Sequence, residues 1–427
     1  MAPPNSARIY LDHAATTAPR PSALQAFVQA SDGPANPASL HASGRAAKLR
    51  LEHAREVVAA SLGAHPSEVI FTSGGTEADN LAILGLYRAR QRPRPRPRIL
   101  ITGIEHHAVL DAAHWLVERE GAELVMIPVD DEGRVELEAW AAALADDSES
   151  IALATLMWAN NEIGTVQPVR AAARLAAEAG VPVHTDAVQA VGALPVSFAE
   201  SEAHTLAVSG HKLGAPVGVG ALLVRRDAQL DPVQLGGGQE RRLRSGTVAV
   251  ALAAALATAV EEAVAEQPVE TRRLRGLRDR LRDAVITVPG VEILGAWDPP
   301  EPDDAVRRLP GNLHLSLPGV SADALLFACD MAGLDTSSGS ACTAGVAEPS
   351  HVVLALGRGD DAARSTQRFT LGHTTTAEEI ERACALLPPL LDTLGRARRD
   401  RATATAPETM TTSSSTTTPT SAEGSRA

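Results

Sequence analysis

Residues 68–90 read EVIFTSGGTEADNLAILGLYRAR, and this stretch decides the fold class. The β-branched and aromatic run over 68–72 predicts a strand. A loop of small residues, Ser73-Gly74-Gly75-Thr76, follows it, and the apolar spacing beyond predicts a helix over 77–90. Strand, glycine loop, helix is half of a βαβ unit, and the unit repeats. Upstream, a helix is expected over 45–62, stopped by Gly63, where a left-handed cap is cheap. Downstream, strands are expected at 98–102, 124–129, 151–157, 181–185 and 204–208, with a returning strand at 220–225. The alternation predicts an α/β fold around a mostly parallel sheet.

After Gly246 two helices are expected, 247–265 and 269–288, then strands at 291–294, 312–316 and 367–370. This divides the chain into an N-terminal segment, 1–20, a large domain, 21–260, a smaller C-terminal α/β domain, 261–399, and a tail, 400–427. The tail is rich in Thr and Ser, with too little apolar surface to order itself. RPRPRPR at 92–98 cannot be helical and reads as an extended connector rather than a polyanion contact.

At 427 residues the chain is long enough for two packed units, and 44% hydrophobic with 21% charged residues excludes a wholly disordered or coiled-coil protein. Only 3% of residues are aromatic, so Ala, Val and Leu must build the core. A formal charge of −13 argues against a nucleic-acid binder. Cys329, Cys342 and Cys384 form no CxxC pair, which suggests neither a disulfide framework nor a zinc ribbon. No metal site is expected. The start MAPPNSARIY is unlike a signal peptide, and the longest apolar run, 248–260, is too short to span a bilayer. A soluble, cytoplasmic protein is therefore expected, with no membrane partner.

The basic residues are 37 Arg and two Lys, Lys48 and Lys212. In a chain that otherwise writes Arg, a retained lysine points to chemistry that guanidinium cannot perform. Lys212 lies in SGHKLG, directly after a predicted strand, where a primary amine could bond an aldehyde cofactor. If that aldehyde is pyridoxal phosphate, its ring nitrogen needs an anion, and Asp186 in HTDAVQ ends an apolar strand. Gly75 and Thr76 of the 73–76 loop offer backbone donors to a phosphate at a helix start. His106, in EHHAV, opens another helix after a strand and could stack on a ring. Asn160-Asn161 could address a ring hydroxyl, or simply form a turn. Cys342, in SSGSACTAG, has no bulky neighbour to anchor it, so an exposed, mobile loop is expected. Cys329 and Cys384 fall on helical patterns and are expected to pack.

From Ile9 to about Glu381 the ordered set IYLDHAATT, NPASLHASG, SGGTEADN, EHHAV, NNEIG, DAVQ, SGHKLG, GGGQERRLRSGT and SSGSACTAG resembles the NifS/IscS-like cysteine desulfurases. These belong to the class V aminotransferases of fold type I. The resemblance implies a large domain with a mostly parallel seven-stranded sheet and a smaller α/β domain carrying the Cys342 loop. It implies that Lys212 carries pyridoxal phosphate, Asp186 pairs with the ring nitrogen, and His106 stacks on the ring. Asn161 and Gln189 would sit at the ring hydroxyl, and Thr76, Ser209 and His211 at the phosphate. Thr247 would join them from the partner subunit of a homodimer, and Arg368 would grip the substrate carboxylate. The implied reaction takes L-cysteine to L-alanine, with Cys342 collecting the sulfur as a persulfide for an acceptor protein, an iron–sulfur scaffold or a thiolation enzyme. His106 would move protons around the substrate thiol. A selenocysteine lyase would use much the same residues. An ordinary transaminase or racemase on this fold would not need Cys342, and a non-catalytic relative would be expected to have lost Lys212, Asp186 or Cys342. Three features depart from the family pattern: His373 where Arg is frequent, Arg242 where a small residue is frequent, and the Thr/Ser tail.

Overall fold

The structure, a computed structural model, describes residues 8–34, 36–298, 306–339, 342–343 and 346–404. Seven strands form the main sheet: β1 (Val69–Thr72), β2 (Arg98–Thr102), β3 (Glu123–Ile127), β4 (Ile151–Thr155), β5 (Val183–Asp186), β6 (Thr205–Ser209) and β7 (Gly220–Val224). Their order is β1-β7-β6-β5-β4-β2-β3, with only β7 antiparallel to its neighbours. All residues of β1 and of β4 to β7 are buried, as expected where helices cover both faces of a parallel sheet.

The helices that matter for the site are α1 (Ala42–Ser61), α2 (Gly75–Arg90), α3 (His107–Glu120), α4 (Val250–Val285) and α5 (Ala377–Ala404). Gly63 takes the left-handed conformation, φ 63°, just past α1. Strand ends differ from the sequence expectation by one or two residues. Two corrections are larger. The pair of helices expected at 247–265 and 269–288 is one 36-residue helix, α4, which runs through Pro268 and across the 260/261 division. A proline forfeits one backbone hydrogen bond, and packing on both sides outweighs that loss: Val250 to Ala263 lie in the first core, and Leu274 to Val285 lie in a second. Helix α5 continues to Ala404, past the expected tail boundary at 400, while 405–427 lie outside the described residues.

That second core surrounds a three-stranded antiparallel sheet of Glu292–Ile293, Asn312–Ser316 and Thr366–Thr370. Ile9 and Leu11 of the N-terminal segment pack into it, and Ile9–Tyr10 pairs with Leu334–Asp335. In the 92–98 connector, Arg92 pairs with Asp231, Arg94 and Arg96 with Glu149, and Arg98 with Asp146, so its charge is engaged by this chain's own acids.

Candidate active site

The carboxyl ends of the parallel strands open onto one cavity of about 670 Å³. This is where an α/β sheet presents the loops between its strands and helices, and most of the site residues from this sheet end a strand or follow one by a few positions. Lys212 closes a single 3-10 turn, Gly210–Lys212, directly after β6. Gly210 must be small there, because a Cβ would lie 2.9 Å from the Val219 carbonyl oxygen. Lys212 Nζ donates to the carbonyl oxygens of Ala14 and Ala15. Burial, with Arg368 nearby, pushes the amine down to about 8.

Asp186 is the last residue of β5, and its Oδ1 accepts the Val188 N–H at 2.8 Å. Burial raises its carboxyl above the usual range, against the pull of His106, that N–H and Lys212. His106 caps the start of α3, with Nδ1 accepting the Ala108 N–H at 3.1 Å. Burial lowers its basicity, so the ring is neutral, and an accepting Nδ1 leaves the proton on Nε2. Gly75 opens α2, where a Cβ would sit 2.8 Å from Val188 Cγ2 and 3.3 Å from Ser209 Cβ. Thr76, Ser209 and His211 line the same end of the cavity, and His211 Nδ1 lies 3.2 Å from Thr16 Oγ1.

The opposite wall comes from the second sheet and the N-terminal segment. Arg368 donates to the Asn161 carbonyl oxygen through Nη1 and to Asp12 Oδ1 through Nη2, both at 2.9 Å. Gln189 lines the cavity and donates to the Ala14 carbonyl oxygen at 3.1 Å. The Asn160-Asn161 pair divides its work. Asn160 is wholly buried, with Oδ1 accepting the N–H groups of Glu162 and Ile163, a turn-forming role, whereas Asn161 lines the cavity.

Gly75, Thr76, His106, Asn161, Asp186, Gln189, Ser209, His211, Lys212 and Arg368 thus share one cavity. Thr247 does not join them: it is exposed, three residues before α4. The side chain of Cys342 lies outside the described residues. Its backbone adds a short pairing to the expected loop, since Cys342–Thr343 pairs antiparallel with Val346–Ala347. β-branched Thr343 and Val346 favour the pairing. His373 lies off the main cavity, lining a smaller one with His13, Thr17 and Arg20, and Arg242 is exposed. Cys329 is buried and Cys384 partly so.

Sequence reasoning missed Asp12 at the site, and Asp79, Glu105 and His184 buried behind it. Asp79 left a signal, a carboxylate between Ala78 and Leu81 on an otherwise apolar helix face. Asp12 left none, since 356 residues separate it from Arg368.

Residues 9–383 match the family model described as aminotransferase class-V. The chain belongs to the class-V aminotransferase family. Among its curated relatives, an IscS-like cysteine desulfurase of Mycobacterium tuberculosis is 48% identical over 91% of this chain and 97% of its own length. The cysteine desulfurase NifS of Azotobacter vinelandii is 40% identical over 90% and 93%. A solved structure titled NifS-like protein superposes with a TM-score of 0.79 at 31% identity, covering 91% of this chain and 99% of that one. Family members use pyridoxal phosphate, and the residues here fit it. The contacts a Cβ would make at Gly75 mark a surface that backbone alone can offer to a phosphate, a buried carboxylate stands ready for a ring nitrogen, and the lysine is a weakened base. Among the described residues, no helix is long and apolar enough to cross a membrane.

Proposed function

We propose that the chain is a cysteine desulfurase, converting L-cysteine to L-alanine and collecting the sulfur as a persulfide on Cys342. One observation carries the reading: the cavity that gathers Lys212, Asp186, His106 and Arg368 is bordered by Thr336 to Gly339, which lead directly to Cys342. Bound pyridoxal phosphate would supply an electron sink that makes the substrate Cα proton labile. Lys212, Asp186, His106, Asn161 and Gln189 would hold its ring, and Gly75, Thr76, Ser209 and His211 its phosphate.

The chain's own groups do the rest. Lys212, at about 8, is partly free base near neutral pH and accepts a proton at Nζ. Arg368 keeps N–H groups beyond those given to Asp12 and Asn161, enough to hold a substrate carboxylate. The Cys342 thiolate attacks the substrate sulfur, so an S–S bond forms as the Cβ–S bond breaks. The electron pair of the broken bond stays on Cβ, which takes up the proton that the substrate thiol gives up, carried between them by His106 as its imidazolium. A homodimer is part of the reading, with exposed Thr247 completing the partner's phosphate site. So are a cytoplasmic setting that keeps Cys342 reduced and an acceptor protein of an iron–sulfur or thiolation system.

The test is to load the protein with pyridoxal phosphate, record its visible absorbance, and assay sulfide and alanine from L-cysteine. Cys342→Ala should keep the absorbance and lose sulfide release. Unchanged sulfide release would remove Cys342 from the mechanism, and a protein that cannot be loaded would reject the whole reading.

A further inference from the structure

Behind Asp186, away from the cavity, lies a buried group of acids that the mechanism above does not use. Asp79 of α2, Glu105 of the loop after β2, and His184 of β5 are almost wholly buried, at 1%, 0% and 0% exposure. His184 Nε2 lies 3.1 Å from Asp79 Oδ1, and its Nδ1 2.9 Å from Thr205 Oγ1. Burial pushes His184 down to about 3 and, with the neighbouring acids, raises Asp79 well above the usual carboxylate range, which favours a protonated Asp79 beside a neutral His184 and so a neutral pair. Two carboxyls remain, Asp186 and Glu105. Asp186 has cationic or protonatable neighbours, Lys212 and His106, on its cavity side. Glu105 has none. Its Oε1 accepts the Met157 N–H at 2.9 Å and the Thr102 hydroxyl at 3.1 Å, and Oε2 has no partner among the described residues. His351 donates from its ring to the Glu105 backbone oxygen, not to the carboxyl. Two anions side by side in a desolvated cluster repel strongly, so the proton settles on the carboxyl without a cation.

We propose that Glu105 is a carboxylic acid that stays protonated at neutral pH, a positioning residue that joins the ends of β2 and β4 as a neutral group and leaves Asp186 as the one ionised carboxylate of the cluster. Burial, with the Asp186 charge adding to it, pushes Glu105 up to about 8, in agreement. Asp79 is likewise raised, by burial and then by Asp186 and Glu105. The consequence for function rests on reading Asp186 as the partner of the cofactor nitrogen. With Glu105 neutral, Asp186 alone sets the charge at that nitrogen. A second anion at Glu105 would bind the nitrogen's proton more tightly and move its titration.

Glu105→Gln keeps the size and the Oε1 acceptor of a neutral acid, so it is the informative variant. In the wild-type protein at pH 7, infrared spectroscopy should show a protonated carboxyl band that Glu105→Gln lacks. In the cofactor-free protein the folded state holds this proton more tightly than the unfolded chain. Glu105 should therefore make the folding constant fall by up to a further tenfold per pH unit from the usual carboxylate range to about 8, and Glu105→Gln should lose that contribution. In the loaded protein the pH midpoint of the visible absorbance should be the same in both. The proposal is overturned if the carboxyl band is the same in wild type and variant, or if Glu105→Gln moves the absorbance midpoint by a unit. Asp186→Asn is the control for the reading beneath it. If that variant leaves the midpoint in place, Asp186 is not the nitrogen's partner, and the infrared band alone decides Glu105.

Discussion

The two walls of the cavity are held by different means. On the cofactor side, Gly75, His106, Asp186 and Lys212 each stand at the end of a strand of the seven-stranded sheet or within four residues of it. Their positions are fixed by local turns on a buried scaffold. On the facing side, Asp12, Ser337 and Arg368 come from segments far apart in the chain. The Thr370 N–H donates to the Leu11 carbonyl oxygen at 2.8 Å, and Ser337 and Arg368 exchange backbone hydrogen bonds of 3.2 and 2.6 Å. The difference separates tasks. Damage to the first wall should strike the chemical step, and damage to the second should strike substrate binding.

Lys212→Arg should give the largest effect. Arginine keeps the positive charge but cannot become a free amine. Visible absorbance of the bound cofactor should vanish, and sulfide release from L-cysteine should fall by about 10⁴-fold, the upper range for loss of a group acting as base. Activity within tenfold of wild type would break the assignment of this wall to chemistry.

That wall was legible in the sequence because strand-end loops are local. SGGT and SGHKLG each carry their strand, turn and functional residue within a dozen positions. The single helix through Pro268 was not legible, because the apolar contacts that outweigh the proline lie in two separate cores. The resemblance named Arg368, but not the carboxylate that orients it. A pair 356 residues apart leaves no periodic trace, and it forms only when the N-terminal segment lies along Thr370. The buried acids escaped for a related reason. Glu105 was quoted within EHHAV beside the more conspicuous histidines, and its isolation from any cation is a property of three dimensions.

Arg368→Lys tests the facing wall. A lysine ammonium keeps the charge and loses the planar fork. One charged hydrogen bond is worth about 1.5–3 kcal/mol, so KM for L-cysteine should rise about 10- to 100-fold while kcat changes less. Measured steady-state constants decide it. A fall in kcat with KM unchanged would mean that this wall takes part in the chemical step, and the division between the walls would not hold.

Asp12→Asn should give the smallest effect and the finest test. Asparagine still offers an oxygen to Arg368 Nη2, so the guanidinium keeps its orientation and KM should move only a few-fold. What disappears is a negative charge that helps keep Lys212 protonated. With it gone, burial and the Arg368 charge act on Lys212 less opposed, and its pKa should drop further below about 8. A lysine must be free base to bond an aldehyde. The rate at which cofactor-free protein takes up pyridoxal phosphate should therefore reach its plateau at lower pH in Asp12→Asn than in wild type. A plateau shifted to higher pH would contradict the sign of the Asp12 influence. A collapse of kcat comparable to that of Lys212→Arg would show that the charge on one wall governs the chemistry of the other.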